Sequence, residues 1–168
     1  MTKNNFYPAF QFVEYGKDPV VPAGGNANNV SFAYSSYADV AFNYDASSGK
    51  YMKSAFGAPH MDADTNSQLA FDNVIVIIAD VAIQEENGVL ADIDMSGGTG
   101  YYFYGGKYEE ITWEKGEPEQ PLMLYGADGE VLGVNTGKSY VGVLDKDQLE
   151  TMVISEETQT VVSVERVQ

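Results

Sequence analysis

The chain has 168 residues, enough to bury a core in one domain without cross-links. Nine Lys and Arg stand against 25 Asp and Glu, and the net charge of −16 repels phosphate backbones, so nucleic acid is excluded as a partner. There is no cysteine, hence no disulfide and no thiolate chemistry, and no apolar run reaches the about 20 residues of a membrane helix.

In chain order, residues 1–29 read as an arm and a loop. Phe6, Tyr7, Phe10 and Phe12 form a small aromatic group, and GKDPVVPAGGNANN carries the chain across a sheet edge. Val30–Ser35 reads as a short strand with Val30, Phe32 and Tyr34 on one side. Ala38–Tyr44 and Lys50–Phe56 read as a hairpin joined by DASSG, with Gly49 free to take positive φ. A polar loop, GAPHMDADTNSQL, then leads into NVIVIIADVAI, residues 73–83, the most apolar run of the chain. Its β-branched residues and polar borders fit a strand buried on both faces. Val74, Val76 and Ile78 face one way and Ile75, Ile77 and Ala79 the other, so cover is required above and below.

Glu85–Gly88 turns the chain, and Val89–Met95 reads as a strand followed by a flexible glycine loop, SGGTG, at 96–100. Tyr101–Phe103 and Lys107–Glu114 read as a second hairpin. A three-residue loop, Tyr104–Gly106, is expected, since it gathers Tyr101, Phe103, Ile111 and Trp113 on one buried face. That register leaves Tyr102 and Tyr108 outward as cross-strand neighbours. Pro121–Tyr125 and Glu130–Val134 flank the turn GADG, and Lys138–Leu144 alternates Tyr140, Gly142 and Leu144 with Val141 and Val143. After a charged link come Met152–Ile154 and Thr160–Val164, the latter read as an added strand. The expected fold is all-β, an antiparallel sandwich or partly open barrel with several hairpins and little helix. Its parts are an arm at 1–29, a β domain at 30–148 and an extension at 149–168.

The succession NYDASSGKY, PHMD, FDNVIV, GYYFYGGKYEEITWEK, YGADGEV and TGKSYVGVL, spread over residues 43–144, carries a resemblance. It resembles the carboxy-terminal domain of the bacterial YerB-like lipoproteins, the DUF3048 family, over roughly residues 10–144. The resemblance implies an extracytoplasmic protein tethered through a lipidated cysteine, with an additional amino-terminal domain in the parent. It implies no catalytic residue and no cofactor. The chain departs from the pattern at Met52-Lys53, where an arginine is expected, and at Tyr140, where a tryptophan is expected. Residues 149–168 run past the usual end.

Four chemistries can be weighed against the residues. Serine hydrolysis needs a base and an orienting group, and His60 is the sole histidine, with no G-x-S-x-G elbow. GVNTGKS at 133–139 is one residue short of a nucleotide loop and reads as a turn with Lys138 at a strand start. Asp62, Asp64 and Asn66 have the alternate spacing of a calcium loop, but Ser67 and Asn73 stand where glycine and glutamate are needed. With His60 they form the candidate metal set. Tyrosines stack on sugars while staying wet, which makes Tyr102, Tyr104 and Tyr108, with His60, the candidate ligand-binding residues.

The leading expectation is a non-enzymatic, extracytoplasmic cell-envelope domain, lipid-anchored in its parent, that binds a protein or cell-wall glycan. Its binding residues would lie on the 101–108 hairpin and the 57–68 loop. The rivals are a metal-dependent hydrolase using His60, Asp62 and Asp64, and a structural module that positions a neighbouring domain.

Overall fold

A computed structural model describes residues 10–83 and 91–157. In chain order the strands are β1 Gly25–Asn26, β2 Asn29–Ser35, β3 Ala38–Asp45, β4 Lys50–Ala55, β5 Ala58–Pro59, β6 Ala70–Phe71 and β7 Asn73–Ala79. They continue with β8 Val81–Ile83, β9 Ala91–Ile93, β10 Gly98–Tyr104, β11 Lys107–Lys115, β12 Leu122–Tyr125, β13 Ser139–Asp145 and β14 Val153–Ser155. The helical element among the described residues is one 3-10 helix, Lys146–Thr151, capped by the Asp145 side chain.

The architecture is an all-β sandwich. One sheet runs β1-β11-β10-β7-β13 with β12 also on β11. The other runs β14-β2-β3-β4-β5 with β6 also on β4. Every ladder is antiparallel except β7 with β13, so the expected antiparallel sandwich carries one parallel pairing. No closed barrel forms, and β8 with β9 makes a separate small ladder.

All seven residues of β7 are buried. Val74, Val76 and Ile78 join Val30, Phe32, Val40, Phe42, Tyr51, Phe103 and Leu144 between the sheets. Ile75, Ile77 and Ala79 face the other way and join Phe10, Tyr102, Ile111, Trp113, Leu124, Leu132 and Val134. Fully burying a Val or Ile side chain contributes roughly 1.5–3 kcal/mol, so β7 anchors both layers. The second layer is not a sheet. Phe10, β12 and the 132–135 segment cover it, tied by a bridge from Phe12 to Val134. The apolar run does not continue as one strand to Ile83. Exposed Asp80 ends β7 and sends the chain into β8.

The first hairpin forms as expected, with Asp45 opposite Lys50 and Gly49 at φ 70. The second has another register. Tyr104 pairs with Lys107 across a two-residue loop, Gly105-Gly106, with φ 62 and 77. Positive φ at both loop residues matches the twist of a two-residue hairpin, and glycine takes it without strain. The expected three-residue loop assumed one buried face. Here both faces are buried, so the aromatic set divides: Tyr101, Phe103 and Tyr108 one way, Tyr102, Ile111 and Trp113 the other.

The expected glycine loop at 96–100 is largely strand. A Cβ on Gly98 would lie 2.7 Å from the Ile78 carbonyl oxygen, and one on Gly100 would lie 2.5 Å from that of Val76. These glycines let β10 approach β7. The arm and the extension both join the fold through β1 on β11 and β14 on β2. Phe6, Tyr7, the Glu85–Gly88 turn, the start of the Val89–Met95 strand and Thr160–Val164 lie outside the described residues.

Candidate functional site

The three tyrosines singled out from sequence do not share a surface. Tyr102 is 1% exposed and lies in the core, not outward. Its hydroxyl donates to Asn73 Oδ1 at 2.7 Å and accepts from Asn135 N at 3.2 Å and Asn135 Nδ2 at 3.0 Å. Asn73 Nδ2 in turn donates to the Asn135 carbonyl, and the Asn135 amide exchanges two hydrogen bonds with the Val20 backbone. Burial pushes the Tyr102 phenol up to about 12 against the Asn135 bonds, which pull the other way. Tyr104 is half-buried on the same face. Tyr108 lies on the opposite face, stacked on Phe103 at 6.0 Å and against Gly25. The hairpin therefore serves packing on both sides.

The 57–68 loop is a short ribbon folded back on itself. His60 N donates to the Lys53 carbonyl, Leu69 N to the His60 carbonyl, and Asp62 N to the Ser67 carbonyl. The Asp62 carboxylate accepts from Asp64 N at 2.9 Å, an Asx turn, and backbone and hydroxyl hydrogen bonds hold its pKa below the usual carboxylate range. Asn66 takes φ 51 at the bend. Among the described residues no three His, Asp or Glu side chains gather as a metal set. The His60, Asp62 and Asp64 arrangement of the hydrolase alternative is not assembled, because the imidazole faces elsewhere. The 133–139 loop is a turn locked by Asp72, which accepts from Lys138 N at 2.9 Å and pairs with Lys50 Nζ at 2.9 Å.

The imidazole faces Lys53. On β4 the side chains of Tyr51, Lys53 and Ala55 alternate inward, opposite Tyr44, Phe42 and Val40 of β3. Lys53 thus enters the sandwich and is 7% exposed. Its Nζ shares a 2.6 Å hydrogen bond with His60 Nδ1, and an ammonium can only donate in it. The same nitrogen lies 5.9 Å from the centroid of the Tyr140 ring. Tyr140 packs on Phe42 and Phe71, and its hydroxyl shares a 2.6 Å hydrogen bond with that of Tyr34. Desolvation lowers the Lys53 pKa and raises those of Tyr34 and Tyr140. Gly142 makes room for this pair: a Cβ there would lie 2.4 Å from the Tyr34 hydroxyl.

Sequence reading singled out His60 but not Lys53, Tyr34 or Tyr140 as a cluster. A signal was available. In YMKSA the lysine falls on the same alternation as Tyr51, the face that must be buried.

Two of the exposed aromatics lie at one end of the second sheet. Tyr37, 86% exposed, occupies the β2–β3 turn, and Phe56, 72% exposed, the β4–β5 turn. Phe56 has φ 54, and its N–H reaches the Asp39 carbonyl. A bulky residue in the left-handed region costs about 1–2 kcal/mol relative to the right-handed one.

Comparison with known proteins agrees with this architecture. The model of the family described as "Protein of unknown function (DUF3048) C-terminal domain" matches residues 29–141. "Putative lipoprotein YerB" of Bacillus subtilis (strain 168) is 28% identical over 106 residues, 62% of this chain and 31% of that protein. The crystal structure of YerB from Bacillus subtilis superposes with a TM-score of 0.67 at 25% identity, covering 82% of this chain and 47% of that one. The chain thus spans under half the length of these relatives. The matched span takes in β2 through β12 and the first residues of β13, and the chain belongs to the DUF3048 C-terminal domain family.

Proposed function

We propose that this chain is a non-enzymatic, extracytoplasmic cell-envelope domain that binds a protein or wall component and is lipid-anchored in its parent. The observation that carries the reading is the likeness to a protein named as a lipoprotein, over most of this chain. A second feature supports binding. Phe56 holds a left-handed turn position that glycine or asparagine would occupy at less cost, and it keeps its ring in water. With Tyr37 at the same end, it offers flat apolar area at low entropic cost to a partner.

The test is retention of the purified chain on isolated cell-wall and envelope fractions. The chain is expected to co-sediment. Tyr37→Ala with Phe56→Ala is expected to weaken retention about tenfold, or roughly 1.4 kcal/mol, with an unchanged fold. A chain that stays in the supernatant with every fraction overturns the reading.

A further inference from the structure

Lys53 is a buried cation without a countercharge. Lys50 and Lys146 pair with Asp72 and Asp80, Lys107 bonds Asn26, and Lys115 caps three carbonyls of the 117–120 turn. Among the described residues no carboxylate pairs with Lys53. One imidazole lone pair takes one of its three protons, and an aromatic face lies beside it. Buried charges are ordinarily paired. The groups facing this amine are His60, Tyr140 and, behind it, Tyr34, none of them a carboxylate.

We propose that the Lys53 ammonium, covered by the His60 imidazole, is a receptor for a single carboxylate on an otherwise neutral ligand. This deepens the envelope-binding reading and rests on it. His60 is exposed, so its ring can turn aside without disturbing the backbone hydrogen bonds on either side of it. A carboxylate oxygen then replaces Nδ1 as acceptor, so that both partners of the bond carry charge where before only the donor did. The half-buried rings of Phe71 and Tyr140 supply an apolar wall for the group that carries it. The net charge of −16 selects a monoanion, because phosphate polymers meet the repulsion many times over and a lone carboxylate only once.

His60 is the sole histidine, so its ring signals in proton–nitrogen spectra are unambiguous. The full chain is titrated with N-acetylglycine, with the methyl glycoside of glucuronic acid and with neutral N-acetylglycinamide. The expected result is a saturable shift of the ring nitrogens with at least one acid and none with the amide. A response to N-acetylglycine alone identifies a peptide carboxylate, and one to the glucuronic acid glycoside alone a sugar acid. Lys53→Met is expected to weaken the response about tenfold or more, and Lys53→Arg to preserve it and report on folding. No saturable shift with either acid, an equal shift with the amide, or an undiminished shift in a folded Lys53→Met chain overturns the site. Wall retention that persists without any acid response sinks the carboxylate site alone. Acid binding without wall retention sinks the envelope reading alone.

Discussion

Tyr102 and Tyr140 both bury a phenol beside β7, one on each face of its sheet, and their surroundings differ. Around Tyr102, amides from Asn73 and Asn135 meet the hydroxyl and join residues 20, 73, 102 and 135. Around Tyr140, the hydroxyl meets only that of Tyr34, and the nearest charge is an amine with one acceptor. A buried network in which donors and acceptors match rigidifies a fold, whereas a partly satisfied one is held at a cost. The difference separates a structural site from one left open for something else.

The comparison can be broken by mutation. On the Tyr102 face, Trp113 is buried and donates from Nε1 to the carbonyls of Ile78 and Thr99. Trp113→Ala is expected to lower stability by about 3–5 kcal/mol in denaturant unfolding, and an unshifted midpoint would show that this layer contributes little. Tyr102→Phe strands Asn73 and Asn135 and is expected to cost about 1–3 kcal/mol, with wall retention unchanged once folded. Lys53→Met removes a desolvated charge and is expected to raise stability by about 1 kcal/mol. A loss comparable to that of Tyr102→Phe would make the two networks alike.

Alkali sharpens the contrast further. Tyr102 is raised from 10.0 to about 12, and Tyr34 and Tyr51 are raised as well, all chiefly by burial. The unfolded phenols ionise first, so the stability contributed by keeping them neutral is whole below pH 10 and is lost as pH rises through 12. Thermal melts across that window are expected to show a steady fall, shallower in Tyr102→Phe. A flat profile would contradict the burial of these hydroxyls.

Much of this was legible from local pattern. The two faces of β7 follow from alternation in NVIVIIA, and the 38–55 hairpin from its own turn. The register of the 98–115 hairpin was not, because Tyr102 could be placed outward only by assuming that one face is wet. Sequence holds no direct signal that the arm and the 132–135 segment cover that face. The parallel pairing of β13 on β7 joins segments 66 residues apart, beyond the reach of any local pattern. The candidate site was half legible. His60 stood out as a rare residue, but its partner Lys53 looked like any solvated lysine until the inward alternation of β4 was fixed.

That distant pairing has a consequence for folding. One border of β7 stays bare until Ser139–Asp145 emerges, and the β2 border until Val153–Ser155 follows. Until then β7 is an apolar ribbon with no partner on that side, and distant contacts of this kind slow folding. The partly formed domain is therefore exposed to strand capture by neighbouring chains, and β13 and β14 act as the closing seam.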